Sequence, residues 1–133
     1  MVREMVSAGD QFDRTHWEFI RFLRNNPKTR TGFIQQHEIH QSEHYAYMST
    51  NWWKFRICLL DGVPAGYVRV DKRDIAVCVH PEFQRNGIGS FMIRFIKKHN
   101  PTAFAKIKLD NAASINLFEK NGFKKRYYIL EQE

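Results

Sequence analysis

The chain has 133 residues and a formal net charge of +7, from 21 Lys and Arg against 14 Asp and Glu. That length suits one domain spanning residues 1–133, and 43% hydrophobic with 14% aromatic residues supply a core, which excludes a disordered chain. No apolar run approaches the ~20 residues that span a bilayer, and the basic excess calls for an anionic partner: nucleic acid, a phosphorylated coenzyme or a membrane surface.

The N-terminus carries an acid at Glu4 and no long apolar stretch, so it does not read as a secretory leader. Phe12, His16, Phe19, Ile20 and Leu23 share one helical face. Asn25-Asn26-Pro27 should stop that helix, because proline removes a donor and restricts the residue before it. A second, more polar helix is expected over 34–48, with His37, His40 and His44 along one face. Their spacing matches no zinc signature, so no metal is expected there; the segment reads as a polar surface helix or as the border of an acceptor pocket, with Glu38 and Glu43 beside it. The paired Trp52 and Trp53 could stack on a base or sugar, or pack.

Strand spacing follows. Trp53, Phe55, Ile57 and Leu59 alternate with Lys54 and Arg56, and Asp61-Gly62 turns into a second strand from Ala65 to Val70. Ile75 to Val79 is a continuous apolar run, as a strand buried on both faces requires. Cys58 and Cys78 lie inside these runs and read as reduced core thiols of a cytoplasmic protein. Ile88, Phe91, Met92, Phe95, Ile96 and His99 then mark an amphipathic helix that Asn100-Pro101 ends. A short strand is expected at Phe104–Leu109, a helix from an Asn111 cap to Lys120, and a last strand at Phe123–Leu130. Hairpins followed by β-α-β imply an α/β fold: a mixed sheet with helices on both faces.

Chemistry concentrates in Gln84-Arg85-Asn86-Gly87-Ile88-Gly89, between a buried strand and a helix start. Glycines let the backbone approach a ligand, and unpaired amides with the helix dipole favour a phosphate. The phosphate loop of nucleotide triphosphatases needs Gly-Lys-Ser/Thr, and the dinucleotide fingerprint a third glycine after a first strand; neither is present. For the glycines alone, a plain tight turn is an equal alternative.

The wider stretch from Asp74 to Gly89 resembles the signature of the GNAT family of N-acetyltransferases: acidic-Ile-x-x-x-Val-x-Pro-x-x-Gln/Arg-x-x-Gly-x-Gly/Ala. Asn111 to Phe123 resembles the second signature of the same family, in the right order and at the right spacing. The resemblance covers about residues 53 to 130. It implies a central mixed sheet with a splayed parallel strand pair, and acetyl-coenzyme A as co-substrate. Its pyrophosphate would lie on the amides of Gln84, Arg85, Asn86, Gly87, Ile88, Gly89 and Ser90. Its pantetheine arm would run along Val77, Cys78 and Val79, with Phe118 beside it and Asn111 facing it or helping to fix the helix beneath it. The resemblance also implies a carbonyl-polarising amide near Val79 and a base at Asp74, where the family often has Glu; a turn residue is the alternative for Asp74. The family's usual acid is a Tyr where this chain has Phe118, and Phe cannot donate a proton.

The expected activity is acetyl transfer to the primary amine of a small acceptor. The stretch His44 to Asp71 is similar to a bacterial subgroup that acetylates nucleotide-linked amino sugars. A peptide or protein acceptor is the alternative enzyme reading. A basic nucleic-acid module is the alternative of another class, but no recognition-helix or RNA-binding signature supports it, so no nucleic-acid or membrane partner is expected. The short C-terminus argues for a compact acceptor or for a homodimer in which a second subunit completes the sheet.

Overall fold

The computed structural model describes residues 1–10 and 12–133. The order is β1 (Arg3–Ser7), α1 (Trp17–Asn25), α2 (Pro27–Arg30), α3 (Gln41–Asn51), β2 (Phe55–Leu60), β3 (Val63–Asp71), β4 (Asp74–Val79), α4 (Ile88–His99) and α5 (Ala112–Lys120). Single 3-10 turns lie at Trp52–Lys54 and Pro81–Phe83. The four strands pair in chain order, each antiparallel to the next. Both tight hairpins have two-residue loops with positive φ: Asp61 (50°) with Gly62 (83°), and Lys72 (50°) with Arg73 (76°). That handedness matches the twist of the strands it joins.

The expected layers are present. On one face of the sheet, Cys58, Ala65, Val68 and Ile75 pack against Ile88, Met92, Ile93 and Ile96 of α4 and Phe118 of α5. On the other, Phe55, Ile57, Tyr67 and Cys78 pack against Trp17, Ile20 and Leu23 of α1 and Met48 of α3. Side chains alternate between these two clusters along β2 and β4, whereas in β3 the register shifts opposite Cys58 and Leu59, so Ala65 joins the α4 side and Tyr67, two residues on, the α1 side.

Six elements differ from the sequence reading. The helix α1 begins only at Trp17, so Phe12 and His16 of the expected apolar face lie before it and Phe12 is exposed, and the short α2 was not expected. The strand β1 was not foreseen; it pairs Arg3–Ser7 with Leu60–Arg56 and forms the sheet edge. The expected strand at Phe104–Leu109 reduces to one parallel bridge, Asp74 with Phe104. There the Ile75 amide donates to the Phe104 carbonyl at 2.8 Å, and the Phe104 amide to the Arg73 carbonyl at 2.9 Å. Beyond that bridge the segment leaves the sheet and is tied to the turn after α2, through Lys108 Nζ to the Thr31 carbonyl (2.9 Å) and Asn111 Nδ2 to the Gly32 carbonyl (3.3 Å). The splayed parallel pair is therefore one contact and a widening gap. The expected strand at Phe123–Leu130 is not formed either: three basic residues followed by four apolar ones give no alternation, and Tyr127, Tyr128 and Leu130 are exposed.

The second long helix begins at Gln41, not at 34. Asn25 explains the delay, since its side-chain amide accepts from the Ile39 amide (2.8 Å) and donates to the Ile39 carbonyl (2.9 Å), holding 39 outside the helix. Pro27 does end α1, and then serves as the first residue of α2, where its missing N–H costs nothing.

Candidate active site

A cleft of about 930 Å3 runs along the free edge of β4. One wall is β4 from Asp74 to Val79; the other is Lys106, Ile107, Asn111 and the face of α5 with Ser114, Leu117 and Phe118. Bonding along β4 decides what that edge offers. Ile75 donates outward to Phe104, whereas His80 donates inward to Ala65. An antiparallel strand alternates its bonding direction residue by residue, so Val77 and Val79 present their N–H and C=O groups to the cleft. The backbone of Cys78 faces β3 opposite Tyr67, and its buried thiol lines the cleft from the other face of the sheet. Burial pushes that thiol up to about 12, which makes it a poor nucleophile.

One end of the cleft is the loop from Gln84 into α4. Arg85 (φ 68°) and Gly87 (φ 71°) both take left-handed backbone there. The first bond of α4 runs from the Phe91 amide to the Gly87 carbonyl at 3.0 Å. The amides of Gly87, Ile88, Gly89 and Ser90 precede it and have no intrahelical acceptor. Sequence reasoning missed what holds this loop. Arg3, on the first strand, donates from Nε (2.8 Å) and Nη2 (2.6 Å) to the Asn86 carbonyl. The Asn86 side chain turns inward to the Phe83 carbonyl (3.1 Å) and the Gln84 carbonyl (3.3 Å) and does not line the cleft. Gly89 has a packing reason: a Cβ there would sit 2.7 Å from Leu117 Cδ2. The Ser90 hydroxyl is nearly buried and accepts from Asn121 Nδ2 at 3.0 Å.

Asp74 lies at the opposite end of β4, with one polar side-chain partner, Arg69 Nη2 at 3.4 Å. Asp74 and Val79 are five residue steps apart along the strand, about 17 Å at the usual rise. Val77 is the nearer free edge amide, about 10 Å away by the same rise. Asn111 caps α5 by accepting from the Ser114 amide at 3.2 Å. Phe118 is buried, meets Phe123 edge-on at 5.1 Å and lines the α5 wall of the cleft from the core. The histidine stripe is not assembled. His37 lies before α3, His40 stands at its N-cap position without a side-chain capping bond, and His44 is buried with Nε2 2.7 Å from the Trp17 carbonyl. Trp52 packs against the α1 side of the sheet, and Trp53 is half-exposed.

A further set of side chains was not foreseen as part of the site: Arg24, Lys28 and Thr29 from α1 and α2, and Arg69 from β3, all lining the cleft. For Arg24 and Lys28 the only sequence signal was their charge. Taken together, a free strand edge leads to unpaired amides at a helix start. The edge suits an amide-bearing chain and the helix start suits a pyrophosphate, so the residues present fit coenzyme A.

The sequence model described as the Acetyltransferase (GNAT) family matches residues 14–123. No curated protein matches the chain in sequence. Among solved structures, spermidine N-acetyltransferase from Vibrio cholerae, in complex with CoA and spermine, superposes with a TM-score of 0.82 at 14% identity, over 98% of this chain and 85% of that one. A domain from Methanocaldococcus jannaschii gives 0.78 at 23% identity, over 94% and 90%. A putative acetyltransferase from Salmonella typhimurium, solved with its cofactor acetyl-CoA, gives 0.74 at 18% identity, over 93% and 80%.

Proposed function

The chain belongs to the acetyltransferase (GNAT) family, and from that premise we propose that it transfers acetyl from acetyl-coenzyme A directly to the primary amine of a small acceptor. The observation that carries this reading is the continuity of the free β4 edge with the unpaired amides of α4. The amides of Gly87 to Ser90 and the Arg85 side chain hold the pyrophosphate. Val77 and Val79 pair with the pantetheine amides, much as a neighbouring strand would.

The Val77 amide, the edge donor closer to Asp74, polarises the thioester carbonyl, and its fixed position is what makes it useful as negative charge develops on oxygen. Asp74 removes a proton from the acceptor ammonium through intervening water. The amine nitrogen then bonds to the acetyl carbon while the carbon–sulfur bond breaks, and the thiolate leaves with the electron pair. Phe118 has no proton to give, so water protonates the thiolate, whose low basicity makes it a tolerable leaving group.

A nucleotide-linked amino sugar is the acceptor we favour within this class. The support is the likeness of residues 44–71 to enzymes of that subgroup, and the four cleft-lining groups Arg24, Lys28, Arg69 and Lys106, which suit a phosphorylated sugar. Calorimetric titration with acetyl-coenzyme A tests the first step. Micromolar binding is expected, and no binding at high micromolar ligand sinks the transferase reading. Release of free thiol across a panel of amino sugars, polyamines and peptides then identifies the acceptor.

A further inference from the structure

We infer that Arg24 and Arg69 form an oxyanion subsite on the acceptor side of the cleft, so that the amine acetylated here also carries a phosphate or a carboxylate. The inference rests on acetyl transfer at the β4 edge. Both residues line the cleft, and the Nε of each is buried with no hydrogen-bond partner among the described residues. Arg69 has only its single 3.4 Å contact with Asp74. Arg24 has no carboxylate within ion-pair reach among the described residues; it lies over the Phe33 ring, 4.5 Å from the centroid. A buried donor left without an acceptor costs free energy that folding alone does not recover. A planar guanidinium with five N–H donors is suited to a carboxylate or phosphate taken by two parallel bonds.

Their place in the fold separates them from the coenzyme loop. Arg69 stands opposite Ala76 in the β3–β4 register. By strand alternation it shares the sheet face of Tyr67 and Cys78, which pack on the α1 side, while α4 covers the other face. Arg24 descends onto that face from the last turn of α1. The pyrophosphate amides belong to the start of α4, beyond the far end of β4. An anion on the two arginines would lie near Val77, with Asp74 beside it for the ammonium. A polyamine would instead bring added positive charge against Arg24, Lys28 and Arg69.

The test uses the full chain saturated with coenzyme A, so that the α4 amides are filled. The Nε–H resonances of Arg24 and Arg69 are followed by NMR while inorganic phosphate or acetate is added. Saturable shifts at both side chains are expected, and whichever anion produces them at lower concentration identifies the acidic group. No saturable shift with either anion overturns the subsite. In turnover, esterifying the acid of an accepted amine should lower kcat/KM roughly 10- to 100-fold, as loss of hydrogen bonds to a charged group would. Arg24→Gln should raise KM for the acidic amine with KM for acetyl-coenzyme A unchanged. Equal kcat/KM for acid and ester overturns the inference. If coenzyme A itself does not bind, the transferase reading falls with it; if it binds and the arginines stay silent, only the subsite falls.

Discussion

Asp74 has a single polar side-chain partner among the described residues, yet it is the carboxylate at the end of the free strand edge away from the α4 loop. If it is the base, Asp74→Asn should lower kcat by about 10²- to 10⁴-fold and remove the acidic limb of the pH–rate profile, with KM for acetyl-coenzyme A unchanged. An intact limb takes Asp74 out of the mechanism. The two loop glycines separate under substitution. Gly87 has a φ of 71°, and its Cβ would meet Arg3 Nη2 at 3.2 Å, so Gly87→Val should strain the loop and weaken coenzyme binding as measured by calorimetry. Gly89→Val should lower stability as well, by about 1–3 kcal/mol in denaturant unfolding, because it overpacks against Leu117. His44 gives a pH signature. Burial holds its pKa below 6.5. The unfolded chain therefore takes up a proton first as pH falls, and protonation favours unfolding. Stability should drop below about pH 6.5, and His44→Gln should flatten that slope in unfolding curves recorded across pH 5–7.

At the scale of elements, β1 supports the chemistry without touching it. Arg3→Ala should weaken acetyl-coenzyme A binding about tenfold by freeing the Asn86 carbonyl, since hydrogen bonds from charged groups are worth ~1.5–3 kcal/mol. Affinity equal to the unsubstituted chain would show that the loop holds its own shape. The sequence made β4, α4 and α5 legible because their periods are clean and the signature residues sit on them. It hid β1, whose five residues Arg-Glu-Met-Val-Ser show little alternation and whose strand state comes from pairing with β2. It misled at 34–40, where Asn25, distant in sequence, captures Ile39 and delays the helix. It misled also at Phe104–Leu109, where apolar alternation exists but the segment is drawn away to Thr31 and Gly32. Local pattern cannot report a partner supplied by another part of the chain.

Over the whole molecule, the charge of +7 divides by place. Arg3 is spent inside the fold on a backbone carbonyl, while Arg85 stands at the loop and Arg24, Lys28 and Arg69 at the other end of the cleft. On the proposals above, the unspecified demand for an anion becomes two positions for one, at opposite ends of the cleft. Neither was visible in composition, and only the loop was visible in a motif. The single Asp74–Phe104 bridge has one more consequence, for hydrogen exchange. By sequence, Val77 and Val79 sit in an apolar strand whose amides should be among the slowest to exchange. Past the bridge they are edge amides, so in the free protein they should exchange far faster than Ala76 and Cys78, which bond to β3. Bound coenzyme should slow them to the rate of their neighbours. In exchange terms the ligand would count as the fifth strand of the sheet.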